Sequence, residues 1–181
     1  KYMDGSKQPD VDITSQLFDS RELNNNYVAV YFPDVLMSDT GDLAADGVSS
    51  RRLVRAPAST AALTALANSD RLGGPWFAPA GFRRGALSLV SGTTTRLNAA
   101  DRDTLYEARI NPIANFPGNE FVIFGQKTTQ IARTALDRVN VRRLMIDIKT
   151  KIQRIAQGLL FEQNNQQTRD RFISSTSAVL S

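Results

Sequence analysis

Residues 136–165, LDRVNVRRLMIDIKTKIQRIAQGLLFEQNN, restrict the possible folds of this chain more than any other stretch. Val141, Leu144, Met145, Ile148, Ile152, Ile155 and Leu159 recur at intervals of three and four. That spacing places them on one face of an α-helix of roughly five turns. An amphipathic helix of this length needs an apolar bed, so the spacing predicts that the stripe belongs to the core. The same region is strongly charged. Residues 133–154 hold seven basic and two acidic side chains, a balance of +5 against +4 for all 181 residues.

At about 100° per residue, Arg143, Asp147, Thr150 and Arg154 lie opposite the apolar stripe. Asp147 stands four residues from both Arg143 and Lys151, so this face can neutralise part of its own charge. Arg142, Ile146, Lys149 and Gln153 form a flank that contains no acid. An apolar side chain between unpaired cations suits a partner contact, and Ile146 would equally suit packing beneath a neighbouring loop. These four residues, Arg142, Ile146, Lys149 and Gln153, are the candidate partner interface.

Composition narrows the chemistry. The chain has no cysteine and no histidine. A disulfide framework and thiolate metal sites are excluded, and the commonest general base and transition-metal ligand are missing. This argues against triad hydrolases, zinc enzymes and zinc-dependent nucleic-acid modules. Catalysis by carboxylates or lysine stays open on composition alone. Asp101, Asp103 and Glu107 are the carboxylates to consider, but Arg102 and Arg109 flank them, and a solvated, salt-bridged helix face is the better reading. Gly125-Gln126-Lys127-Thr128 superficially resembles the end of a phosphate loop. A P-loop places Lys directly after its second Gly, whereas Gln126 intervenes here and the residues before Gly125 are strand-like. We therefore assign no catalytic, cofactor-binding or metal site. No apolar run approaches the ~20 residues of a membrane span.

The charge is bipolar. Residues 1–50 carry three basic and nine acidic side chains, a balance of −6, and residues 51–181 carry nineteen and nine, a balance of +10. A basic nucleic-acid-binding domain is the alternative raised by the second half, and the acidic first fifty residues oppose it. A protein that stacks on copies of itself could set one half against the other half of a neighbour.

In chain order, residues 1–10 read as a linker, and residues 11–23 have weak helical spacing through Ile13, Leu17 and Phe18 before the turn-forming Asn24-Asn25-Asn26. Residues 1–26 are thus a linker with an N-terminal helical segment, and residues 27–181 a single domain. Residues 27–32, YVAVYF, predict a buried strand ended by Pro33. Residues 38–50 are a loop. A helix starts at Pro57 or Ser59, runs to about Ser69 and stops at Gly73-Gly74-Pro75, with residues 76–81 as turn chemistry. Residues 86–90 predict a second strand. Asn98 caps a helix answered by Asp101 and ended before Asn111-Pro112. Residues 120–124 predict a third strand, and a final amphipathic stretch carries Phe172, Ile173, Val179 and Leu180. Strands alternating with helices indicate an α/β or α+β fold.

Several stretches together resemble the tail sheath protein of contractile-tailed bacteriophages. They are Pro57 through Asp70 to Gly74-Pro75-Trp76 and Ala78-Pro79-Ala80-Gly81, then Leu97-Asn98-Ala99-Ala100-Asp101-Arg102-Asp103, Ile110-Asn111-Pro112-Ile113 and Gly125-Gln126-Lys127-Thr128. The most specific run is Leu136-Asp137-Arg138-Val139-Asn140-Val141-Arg142-Arg143-Leu144, followed by Phe161-Glu162-Gln163-Asn164-Asn165, Thr168-Arg169 and Phe172. The resemblance covers residues 57–173.

It implies the conserved C-terminal sheath domain, also found in R-type pyocin and type VI secretion sheaths: a small mixed sheet packed against the long amphipathic helix. It further implies a structural subunit without enzymatic activity or cofactor. Such subunits stack helically around a tail tube and contract to drive it through the host envelope. The implied partners are other sheath subunits, the tail tube protein, and the baseplate and tail terminator, with no nucleic acid. The implied setting is the virion, assembled in the host cytoplasm. Because the family continues beyond the Phe172 helix into a segment that supplies an exchanged strand, the resemblance implies a piece of a longer protein with an unpaired sheet edge.

Overall fold

The computed structural model describes residues 11–39, 52–118 and 120–180. The linker expected at residues 1–10 and all but the first two residues of the expected 38–50 loop lie outside them. Within them the fold is mixed α/β, as expected, and six strands form two three-stranded sheets.

The chain opens with helix α1 (Val11–Asp19) and then strand β1 (Val30–Phe32), β2 (Val35–Asp39) and β3 (Arg52–Ala56). Ser38 and Asp39 therefore end a strand instead of starting a loop. The expected buried strand at residues 27–32 shrinks to its last three residues, all half-buried, while Tyr27 and Val28 are exposed. The Phe32–Pro33 peptide is cis.

Helix α2 (Ala58–Leu72) begins after Pro57, whose side chain offers no cap. Asp34 supplies one from a distance: its Oδ1 accepts from the Ala58 N–H at 3.2 Å, and its Oδ2 accepts from Arg55 at 2.8 Å. The buried face of α2 is Ala58, Ala61, Ala62, Ala65 and Ser69. Small side chains let this helix lie close against β1 and close a core with Val35, Leu87, Ile113 and Ile123.

After a single turn, α3 (Gly81–Arg84), comes β4 (Val90–Thr93). The strand expected at residues 86–90 is displaced. Ala86 makes one isolated bridge to Val122, Leu87 drops into the core, and a turn closes with the Val90 N–H on the Leu87 carbonyl. Helix α4 (Ala99–Glu107) has the anticipated capping box, with Asn98 accepting from the Asp101 N–H and Asp101 accepting from the Asn98 N–H.

Strand β5 (Ile110–Asn115) is the most buried element, and β6 (Phe121–Ile123) falls within the expected third strand. In the first sheet β5 is central, parallel to β1 and antiparallel to β6. In the second, β2 lies between β3 and β4 and pairs antiparallel with both. Reading Asn111-Pro112 only as a helix stop missed β5 because both residues are poor strand formers. Asn111 earns its place through its side chain. Buried completely, it donates to the carbonyls of Val30 (3.0 Å) and Lys127 (2.8 Å) and accepts from the Lys127 N–H at 2.6 Å. One amide thus ties β1, β5 and residues 125–127 together. Gly125 permits that approach, since a Cβ there would stand 2.9 Å from Asn111 Oδ1.

A second core joins Val11, Leu97, Leu105 and Ile110, with Phe18, Val30 and Phe32 against it. After a 3-10 turn at Ala135–Asp137 come the long helix α5 (Val139–Gln157) and α6 (Gln166–Leu180). Here the largest expectation changes. Of α5 only Val139 is buried; Met145 is exposed, and the other six residues of the apolar stripe are half-buried and belong to neither core. Helix α2 closes one core and α1 with α4 the other, so the stripe meets chiefly α6. Thr168, Phe172, Ser175, Thr176 and Val179 are the half-buried face of α6, and Ile173 and Leu180 are exposed.

Candidate interaction surface

Polar contacts anchor the start of α5. The Val139 N–H donates to the Gln126 carbonyl at 2.9 Å, and Lys127 and Arg138 form an isolated antiparallel bridge. Asn140 Nδ2 donates to the Trp76 carbonyl at 3.2 Å, and Arg143 reaches both carboxylate oxygens of Asp70 at 2.6 Å. Lys151 pairs with Asp147 at 2.8 Å, so the expected neutralisation within the helix holds for Lys151, whereas Arg143 turns to α2. The exposed Trp76 ring lies beside this helix, 5.9 Å from the Lys151 ammonium.

The four candidate residues divide. Arg142 lies 4.1 Å over the ring of Tyr27, and its Nε is buried without a hydrogen-bond partner among the described residues. Ile146, Lys149 and Gln153 are exposed together on the outward flank. Arg142 is thus the packed root of the stripe and the other three are its free surface. Neither Tyr27 as the stacking partner of Arg142 nor Asp70 as the partner of Arg143 was legible, because each lies far off in sequence.

A second arrangement surrounds Tyr106. Lys127 Nζ donates to the Tyr106 carbonyl at 2.8 Å and stands 3.8 Å from its ring centroid, while Arg138 Nη1 donates to its hydroxyl. Burial pushes the Lys127 pKa down, and the neighbouring Arg138 adds to the effect. The Arg138 pKa is raised by its bond to Tyr106. These groups line a cleft of about 380 Å³. Residues 125–128, the stretch that resembles a phosphate loop, here serve the structure. Thr128 donates its N–H to the Asp137 carbonyl at 2.8 Å and its hydroxyl to the Leu136 carbonyl at 3.1 Å.

The carboxylates of α4 are also reassigned. Asp101 caps its helix, and Asp103 and Glu107 are exposed. The flanking arginines do not bridge them as expected. Arg109 pairs with Asp19 at 2.8 Å, and Arg102 lies 4.7 Å over the ring of Phe116. Among the described residues no group of three or more acidic side chains could hold a metal ion.

The Arg102 stack belongs to a surface that the sequence reading passed over. Phe116 lies 5.1 Å from Phe82 and 4.9 Å from Phe124 between ring centroids. Phe82 and Phe124 are exposed, and beside them runs a groove of about 550 Å³ whose lining includes Arg102, Pro112, Phe124 and Arg138. The available signal was Phe116 and Phe124 flanking the Pro117-Gly118 turn.

No family model matches the chain. It is 42% identical over 114 residues to the tail sheath protein of Vibrio phage KVP40 and 38% identical over 114 residues to that of Enterobacteria phage T4. Each match covers 63% of this chain and 17% of the relative, so the chain spans about a sixth of the length of these proteins. The fold is similar to the sheath of an extracellular contractile injection system, PVC, in its contracted state, with a TM-score of 0.78 and 23% identity over 96% of this chain and 45% of the other. It is also similar to the contracted helical sheath of the anti-feeding prophage, with a TM-score of 0.71 and 26% identity over 87% of this chain and 40% of the other. The chain is thus similar in sequence, over 63% of its length, to contractile phage tail sheath proteins, and similar in fold, over 96% of it, to a contractile sheath subunit.

Proposed function

We propose that the chain is part of a structural subunit of a contractile tail sheath, one that polymerises helically around a tail tube and contracts to drive the tube through the host envelope. The observation that carries this reading is the 42% identity over 114 residues to a phage tail sheath protein. The subunit works through contact surfaces and not through an active site. Contraction in such a lattice exchanges one set of interfaces for another of lower energy. Its partners are other sheath subunits, the tube, and the baseplate and terminator at the two ends. Its place is the virion, after assembly in the host cytoplasm.

The alternative, a basic nucleic-acid-binding domain, has no support among these relatives. Much of the positive charge on and near α5 is also spent inside the molecule, with Arg143 on Asp70, Lys151 on Asp147 and Arg142 on Tyr27. Of the candidate flank, Ile146, Lys149 and Gln153 remain outward, and we assign them to the tube or a neighbouring subunit. Electron microscopy of the full-length product should show striated tubes; dispersed particles under all assembly conditions would remove the sheath reading. Within that product, Ile146→Glu with Lys149→Glu should weaken sheath–tube assembly and leave the monomer folded. These positions are preferred to Arg142, whose replacement would also unpack Tyr27.

A further inference from the structure

The turn between α5 and α6 presents apolar side chains to solvent. Phe161 is fully exposed (104%) and Leu160 is 64% exposed. Phe161 also holds φ at 71°, a left-handed conformation that few residues other than glycine adopt. Exposed Glu162 follows. At the opposite end of α5 lies the aromatic cluster of Phe82, Phe116 and Phe124, beside a groove lined by Phe124 with Arg102, Asp103 and Arg138, the last paired with Asp137 at 3.2 Å. Arg102 makes no ion pair among the described residues and rests on the Phe116 and Phe124 rings. An apolar and acidic tip therefore complements the exposed aromatic cluster and the Arg102 guanidinium that rests on it.

Helix α5 separates the two. Arg138, which lines the groove, immediately precedes its first turn, and Gln157 ends it. At 1.5 Å per residue the helix holds tip and groove about 28 Å apart, so a copy cannot fill its own groove with its own tip. We propose that the Leu160-Phe161-Glu162 tip of one copy docks on the Phe82/Phe116/Phe124 cluster, at the edge of the groove that Phe124 lines, in a second copy, with Glu162 facing Arg102. Such a contact is heterologous. Each added copy brings a free tip and a free groove, so the contact propagates and does not close on itself as a twofold pair would. The few side chains involved make each contact weak alone and effective in an array.

This inference rests on the sheath reading and deepens it by naming one contact between subunits. In sedimentation velocity over a concentration series, the 181-residue chain should associate progressively. Phe161→Ser should weaken association about tenfold or more. Its melting curve should not change, since Phe161 touches nothing that folding requires. Glu162→Arg and Arg102→Glu should each weaken association, and the two substitutions in one chain should restore it. A chain that stays monomeric throughout, or association indifferent to Phe161→Ser, would overturn the contact. Full-length protein carrying Phe161→Ser that still builds normal tubes would also overturn it while leaving the sheath reading intact. Only failure of the unsubstituted full-length protein to form tubes would count against the sheath reading.

Discussion

The two halves of this molecule spend apolar residues differently. In the body, β5 and β6 bring Ile110, Ile113, Ala114, Val122 and Ile123 to near-complete burial, and Asn111 ties three backbone segments with one side chain. In the arm of α5 and α6, 34 residues of helix bury a single side chain, Val139. Hydrophobic periodicity is no weaker in the arm. A strong amphipathic pattern therefore reports that a helix has an apolar face, and it leaves open whether the chain's own core or another surface covers that face.

Substitutions can break this comparison. The largest effect belongs to the body: Ile113→Ala removes buried methyl groups from a site with no exposed edge and should cost about 3 kcal/mol, read as a fall in denaturation midpoint at unchanged m-value. A loss below about 1 kcal/mol would mean that the body is far looser than its burial indicates.

Tyr31 tests the seam between body and arm. Burial raises its pKa to about 12, partly offset by Arg143 of α5. The unfolded state loses this proton near pH 10 and the folded state near pH 12, so the folded state binds more protons between them and stability falls as pH rises through that window. Tyr31→Phe should remove roughly 1 kcal/mol of the alkaline loss at pH 11. Equal losses in both proteins would show that the ring is not buried as described. The smallest effect belongs to the arm, where Ile152→Ala should cost less than about 1 kcal/mol in the free chain. A cost equal to that of Ile113→Ala would erase the contrast.

Local rules made part of this structure legible beforehand. Asn98 with Asp101 marked the start of α4, Pro57 the start of α2, and the spacing of Val141 through Leu159 the existence of α5. The strands were harder. Strand β5 contains Asn and Pro, and its stability comes from a side-chain amide reaching Val30 and Lys127, a tertiary fact that no window reveals. Strands β2 and β3 were missed: β2 begins just past the Pro33 taken as the end of the preceding strand, and the two pair across the stretch 40–51. At the candidate surface, periodicity grouped Arg142, Ile146, Lys149 and Gln153 on one flank. It could not foresee Tyr27 under Arg142, nor Asp70 drawing Arg143 away from Asp147.

The contrast between body and arm is tested most directly by native-state hydrogen exchange on the chain. The amides of Ile113, Ala114, Val122 and Ile123 in β5 and β6 should exchange only through global unfolding, and those of α5 beyond Ile148 should exchange much faster through local opening. Equal protection in Ile148–Gln157 and in the central strands would contradict the account, because the arm would then be as firmly held as the core without any partner.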